Sequence, residues 1–270
     1  MQPDALICMP FEDYRASPAV GKSDLDLIHR SPAHYRQAKE VPEPATPAML
    51  WGQMFHALIL EPDRFATTYA VLPEGIDRRT KDGKLEWSAW QEEHSGMVAV
   101  DKPTMVELTA MRDGLMFHPL MSTIQTALCE RSVFWTDDVP CKARPDMVTA
   151  AGFLADLKTC IDARPDPFAR QCLTYRYYVQ AAYYLDGYHA AVGEPAEGFL
   201  FVAIEKSPPY AVALYLANES MVDQGRREYG RDLETYAECL RSDRWPGYPA
   251  DVMSLMLPVW AQDEEAKSGS

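Results

Sequence analysis

The stretch Lys142-Ala-Arg-Pro-Asp-Met-Val-Thr-Ala-Ala-Gly-Phe-Leu-Ala-Asp-Leu-Lys-Thr159 constrains this chain more than any other. It carries Asp146, then Asp156 and Lys158 ten and twelve positions on. Between them, Val148, Gly152, Phe153 and Leu154 spell a strand, a short turn and a second strand. Side chains alternate faces along a strand, so Asp156 and Lys158 point the same way, roughly 7 Å apart. The hairpin can bring Asp146 beside Asp156. Two like charges this close are unfavourable unless a cation neutralises them. All-oxygen donors suit hard ions such as Mg2+ or Mn2+. An ammonium alongside can orient a water and offset charge building on a phosphate. The hairpin alone is equally compatible with ordinary surface charges, so the remaining sequence has to decide.

Ahead of the hairpin, three prolines and little apolar periodicity predict a loose arm over residues 1–20. Ser23 reads as the N-cap of a first short helix, with Leu25, Leu27 and Ile28 on its apolar side, and Ser31-Pro32 starts a second. His29 and His34 fall on helix surfaces. After the Pro-rich connector 40–47, residues 48–60 form a helix that is apolar nearly all round, hence buried, and that ends at Glu61-Pro62. Within it Gly52 lies one turn before His56 on the same face, leaving room beside the imidazole. A lone histidine in such a helix is commonly a satisfied core residue. Residues 74–87 form the densest basic loop, with Arg78, Arg79, Lys81 and Lys84. This is either a solvated loop or one that touches phosphate. Helical patterns follow at 86–97, 103–117 and 118–129.

The sequence then turns β-like, with strands expected at 130–136, 141–149 and 152–159. A helix over 166–191 carries an apolar stripe (Phe168, Cys172, Tyr175, Val179, Ala182) and a second row, Arg176, Gln180 and Tyr184. The other tyrosines of this helix, Tyr177, Tyr178, Tyr183 and Tyr188, read mostly as core. Strands are expected at 197–205 and 210–216, joined by the turn Lys206-Ser-Pro-Pro209. A long helix over about 219–242 follows, then a short apolar segment, Val252 to Trp260, and a disordered tail over 261–270.

With 270 residues, 47% of them hydrophobic, the chain can bury a full core as one domain. No apolar run is long enough to span a bilayer. The N-terminus does not read as a signal peptide. The six cysteines are scattered without C-x-x-C. That argues against zinc and iron–sulfur sites and for reduced thiols in a cytosol, with Cys129, Cys141, Cys160 and Cys172 filling core gaps. The net charge of −14 restricts any phosphate contact to a local basic patch supported by metal ions.

The order helical Gly-x-x-x-His, Asp, Asp-x-Lys, helical Gln-x-x-x-Tyr resembles the RecB-like nucleases of the PD-(D/E)XK superfamily. In this chain these are Gly52/His56, Asp146, Asp156-Leu-Lys158 and Gln180/Tyr184. Several strings resemble RecE-type exonucleases, the C-terminal nuclease domain of exonuclease VIII and its phage relatives. They are Gly52-Gln-Met-Phe-His-Ala-Leu-Ile-Leu-Glu-Pro62, Arg78-Arg-Thr-Lys-Asp-Gly-Lys84, Lys142-Ala-Arg-Pro-Asp146, Asp156-Leu-Lys-Thr159, Tyr178-Val-Gln-Ala-Ala-Tyr-Tyr184 and Leu257-Pro-Val-Trp260.

The resemblance implies an α/β fold, with a restriction-endonuclease-like core of mixed sheet flanked by helices. It implies one or two Mg2+ or Mn2+ ions on His56, Asp146, Asp156 and the Leu157 main-chain carbonyl, with Glu130 as a second-tier candidate. Lys158 would position or activate water, and Gln180 and Tyr184 would support the site and touch the DNA strand. The candidate DNA contacts are Arg78, Arg79, Lys81, Lys84, Arg144 and Arg176. The activity implied is 5′→3′ digestion of linear double-stranded DNA in a bacterial cytoplasm, leaving 3′ tails for a RecT-like annealing partner. The assembly implied is a ring of identical subunits, a tetramer ahead of a trimer. The rival readings are an endonuclease of the same superfamily and a non-catalytic protein that binds DNA ends or a recombinase.

Overall fold

Alternation along two adjacent strands decides how the core is divided. In the strand Phe153–Cys160, Leu154 faces one apolar cluster while Ala155 and Leu157 face another. In Gly198–Glu205, Phe199, Phe201 and Ala203 face the first cluster, and Val202 and Ile204 the second. A sheet buried on both faces needs helices on both sides.

The computed structural model describes residues 5–119, 121 and 128–256. The helices are α1 (Phe11–Ala16), α2 (Lys22–Arg30), α3 (Pro32–Glu40), α4 (Pro47–Leu60), α5 (Pro62–Thr68), α6 (Lys81–Glu93), α7 (Lys102–Met116), α8 (Pro165–Thr174), α9 (Tyr177–Val192) and α10 (Glu219–Ser242). The strands are β1 (Ile7–Cys8), β2 (Tyr69–Val71), β3 (Val98–Val100), β4 (Leu128–Cys129), β5 (Arg131–Asp137), β6 (Val139–Ala143), β7 (Met147–Val148), β8 (Phe153–Cys160), β9 (Gly198–Glu205) and β10 (Val212–Leu216). The central sheet runs β10-β9-β8-β7-β4. It is mixed, since β8 and β9 are parallel and its other neighbours antiparallel. Helices α4 and α7 cover one face through Phe55, Leu58, Leu108 and Met111. Helices α8 and α9 cover the other through Phe168, Cys172, Ala181 and Ala182. Fully burying a side chain of this size contributes roughly 1.5–3 kcal/mol. A third cluster joins α2, α3 and α10 around Leu25, Tyr183 and Tyr236.

Several expectations are corrected. Residues 5–21 are not a loose arm: β1 pairs with β5, α1 is helical, and Val20 bridges Cys141. Lys142 Nζ reaches the carbonyls of Tyr14 and Ser17 at 2.9 and 2.8 Å, closing the last turn of α1 onto β6. Gly21, not Ser23, is the N-cap of α2. The first half of α4 is exposed, with Met49 and Leu50 in solvent, and burial starts at Phe55. The basic stretch 74–87 is half helix, because α6 begins at Lys81 under the Thr80 cap.

The three expected strands do not share one sheet. Pro145 has no amide hydrogen and forces Arg144 into extended backbone, so pairing with β5 stops at Ala143 and the chain crosses to pair as β7 with β8. The expected helix 166–191 is two helices, broken at Tyr175-Arg176, where Arg176 adopts a left-handed conformation (φ 53°). Tyr175 is consequently exposed and leaves the apolar stripe. Gly187 has no side chain because the Trp135 ring occupies its place: an added Cβ would lie 2.4 Å from the indole.

Residues 103–117 and 219–242 fold as expected. The expected helix 118–129 lies largely outside the described residues, and its last two positions are β4. Cys141, Cys160 and Cys172 are buried and Cys129 is half-buried. Residues 252–256 are exposed without regular structure; Leu257–Trp260 and the tail lie outside the described residues.

Candidate active site

The site forms where β7 stops. Among the described residues only Met147 and Val148 pair with β8 on this side, opposite Ala155 and Leu154, so from Asp156 onward no described strand continues the ladder there. The Asp146 side chain takes the place of a strand: its Oδ2 accepts from the Leu157 amide at 2.7 Å. Strand alternation then sends Asp156 and Lys158 to the α9 face and Leu157 to the α4 face. His56 of α4 comes over the edge from the opposite side, its Nδ1 3.4 Å from Asp146 Oδ2. An added Cβ at Gly52 would meet nothing within 4 Å, so the space beside His56 is open.

On the α9 face, Lys158 Nζ lies 2.5 Å from Asp156 Oδ1 and donates to Gln180 Oε1 at 2.9 Å. Gln180 Nε2 donates to Asp156 Oδ2. Lys158 also stands over the Tyr177 ring, 4.4 Å from its centroid. The helix break at Arg176 is what presents Tyr177 and Gln180 to Lys158 on the first turns of α9. Tyr184 packs edge-on to Phe199 close to Gln180.

Glu130 completes the other half. It too is left-handed (φ 52°), and its amide donates to the Asp146 carbonyl at 2.9 Å. Strain of this kind concentrates at functional sites. Its Oε2 accepts from Arg144 Nε at 2.5 Å. His56, Glu130 and Asp146 each offer one ligand atom, all within 4.8 Å of one another.

Electrostatics show what this set lacks. Burial, reinforced by the Asp156 and Glu130 charges, pushes the Asp146 carboxyl well above the usual carboxylate range. Burial also raises Glu130, against the pull of Arg144. Burial lowers His56 despite Asp156 nearby, so the imidazole is neutral, the 3.4 Å contact with Asp146 is no ion pair, and a lone pair is available. Burial alone would lower Lys158, but Asp156 and Asp146 outweigh it and the ammonium is held above its ordinary value. Asp156 Oδ1 is buried without a hydrogen bond of proper geometry, although Lys158 is close. Crowded carboxylates and a neutral imidazole with ligand atoms within 4.8 Å of one another fit a divalent cation held by His56, Glu130 and Asp146, with Asp156 at its flank.

Asp156 is therefore brought to Lys158 and Gln180 rather than into the tightest ligand group, and Glu130 moves from the second tier into that group. Two expected DNA contacts are corrected. Arg144 is buried between Glu130, the Met9 carbonyl and Ser132. Arg176 is buried among Asp26, Glu228 and Asp232. Arg78, Arg79, Lys81 and Lys84 are exposed, Arg79 paired with Asp77. Sequence reasoning passed over Tyr177, filed with the core tyrosines, whose ring lies under Lys158. No motif marks it.

Residues 22–255 match the family model described as a PDDEXK-like domain of unknown function (DUF3799). A solved structure of a candidate exonuclease from Eubacterium rectale has the same fold, with a TM-score of 0.59 at 12% identity over 91% of this chain and 97% of that one. A phage-related exonuclease from Haemophilus somnus gives a TM-score of 0.35 at 10% identity, covering 86% of this chain and all of the other. No curated protein matches the chain.

Proposed function

The chain belongs to the PDDEXK-like family, and from that premise we propose that it is a metal-dependent exodeoxyribonuclease acting on linear double-stranded DNA. The observation that carries the reading is the meeting of His56, Glu130 and Asp146 at the edge of β8, with Asp156 and Lys158 one strand position away on the other face. Acids crowded against one another at a cost to their own ionisation are what a cation site requires and what a merely structural hairpin avoids.

When bound, Mg2+ or Mn2+ supplies Lewis-acid polarisation of the scissile phosphate and a more acidic water. The chain's own residues do the rest. Neutral His56 offers nitrogen, while Glu130 and Asp146 offer oxygen. Asp156 and Asp146 outweigh burial and hold the Lys158 ammonium above its ordinary value. As an ammonium it donates, orienting the water or offsetting charge on a phosphate oxygen. Gln180 bridges Lys158 and Asp156 and fixes the spacing of both. Tyr177 covers Lys158 on its other side.

The finer assignment rests on the RecE-like motif order. It comprises 5′→3′ polarity, 3′ single-stranded tails for an annealing partner, a ring of subunits and action in a bacterial cytoplasm. Among the described residues no helix is long and apolar enough to cross a membrane. The test is incubation of the full chain with end-labelled linear duplex and with closed circular plasmid, with Mg2+, with Mn2+ and with chelator. Loss of the 5′ label from linear DNA in metal alone is the expected result. Nicking of closed circles would replace the exonuclease with an endonuclease, and no cleavage of either would refute the enzyme.

A further inference from the structure

The N-terminal arm, β1 and α1, reaches the candidate metal ligand Glu130, and Arg144 is where the two meet. In the β1–β5 pair, Ile7 lies opposite Ser132 and Cys8 opposite Arg131. One further step along that register would set Met9 against Glu130. Glu130 is left-handed there, and the ladder ends. The Arg144 guanidinium fills the gap. Its Nε donates to Glu130 Oε2 at 2.5 Å, while Nη1 donates to the Met9 carbonyl at 2.9 Å and to Ser132 Oγ at 3.3 Å.

Beyond Met9 the arm folds over the same guanidinium. Phe11 and Tyr14 of α1 each turn a ring toward it, with centroids 5.9 and 5.8 Å from Arg144 Cζ. Lys142, two positions before Arg144, holds the end of α1 by the Tyr14 and Ser17 carbonyls. Glu12 pairs with Arg64 of α5 at 3.4 Å, and Arg64 pairs in turn with Glu61, the residue that closes the His56 helix. A guanidinium is planar, so its donors keep fixed directions relative to one another. With Nη1 seated on Met9 and Ser132, Nε is aimed at Glu130 Oε2. That leaves Oε1 of Glu130 for an ion.

We propose that Arg144 is a positioning residue for Glu130, and that the arm sets the metal affinity of the site by holding Arg144 in place. The proposal deepens the nuclease reading and rests on its ion site, His56, Glu130 and Asp146. Groups that orient a metal ligand from behind contribute about 10–100-fold to metal affinity. A left-handed residue just ahead of a strand has no ladder of its own to fix its side chain, so Glu130 depends on this outer partner more than Asp146 does. Asp146 is already fixed by the Leu157 amide. A guanidinium that merely competed with the ion for Glu130 would act with the opposite sign: weakening its grip would tighten metal binding.

The test is calorimetric titration of Mn2+ into the full-length chain without DNA, so that no turnover enters the reading. Binding that survives in Asp146→Asn belongs to the acidic surface and is subtracted. Arg144→Lys keeps the buried charge but not the planar fork, and should weaken the remaining binding about 10–100-fold. Phe11→Ala removes one ring from the guanidinium and should weaken it about two- to fivefold, yet change almost nothing on an Arg144→Lys background. Melting in chelator checks that each variant is folded. Should Arg144→Lys not fold, Ser132→Ala removes a single acceptor from Nη1 and should weaken binding about twofold or more. Unchanged or tighter Mn2+ binding in whichever of the two is folded overturns the proposal, as does an equal loss from Phe11→Ala on both backgrounds. If Asp146→Asn binds Mn2+ as the parent does, the ion site itself is refuted and the proposal falls with it.

Discussion

Two clusters of buried charge lie one helical turn apart on α9, and they are wired in opposite ways. Around Arg176, all the carboxylate oxygens meet a partner. Asp26 has Arg176 and Lys22, at 2.9 and 2.7 Å. Asp232 has Arg176 at 2.6 Å and His29 at 3.1 Å. Glu228 has Gln224 and Tyr178, both at 2.7 Å, with Arg176 at 3.3 Å. Around Gln180, by contrast, Asp156 Oδ1 has the Lys158 ammonium beside it without hydrogen-bond geometry, and burial pushes Asp146 and Glu130 toward their protonated forms. Counts of acids and bases barely distinguish the two. What differs is where the acids point: one set converges on a shared guanidinium and holds three helices together, the other converges on itself, with ligand atoms placed where they could hold a cation.

The widest gap between the clusters should appear in stability. Arg176→Met leaves three acids without their shared guanidinium and should cost about 3–5 kcal/mol, read as a lower urea midpoint. Lys158→Ala should leave the fold intact while lowering metal-dependent digestion about 10²–10³-fold. If both variants lose stability equally and Lys158→Ala still digests, the contrast is broken.

Metal should next sharpen the comparison. In chelator, Asp146→Asn should melt a few degrees above the parent, because it removes a charge that burial and Asp156 disfavour. Mn2+ at a hundred times Kd should stabilise the parent by about 2.7 kcal/mol, read as a higher Tm, and leave the variant unmoved. Thermal scans with and without metal decide this.

The smallest effect concerns pH. Burial would raise Glu228, but hydrogen bonds from Gln224, Tyr178 and Arg176 prevail and its carboxyl is lowered. A carboxyl depressed on folding contributes stability above its unfolded value, near 4.5, which is lost as pH falls through the folded value. Glu228→Gln should therefore flatten the acid limb of the Tm–pH curve below about pH 4.5, without changing the response to metal.

How much was legible in advance follows from the range of each signal. Apolar runs bounded by turn residues marked β8 and β9 to within a residue, and the Asn218-capped α10 was placed to the residue by its one charged face, because burial writes itself into consecutive positions. The order His56, Asp146, Asp156, Lys158, Gln180 was likewise visible, since β8 and α9 each deliver their residues at fixed local spacing. Glu130 was weighed only as second-tier, because its place depends on a left-handed turn and on Arg144, just beyond the end of β6.

The sequence by itself determined the longer strands of the central sheet, the longer helices around it, their order and the side chains with chemistry to offer. Only the tertiary structure decided which charges meet. Arg144 and Arg176 read as surface cations until Glu130, and Asp26 with Glu228 and Asp232, arrived from distant parts of the chain to bury them. Whether a charge is a ligand, a support or a DNA contact is set by its solvation and its partners. Those are properties of the packed molecule, and no local pattern of residues encodes them.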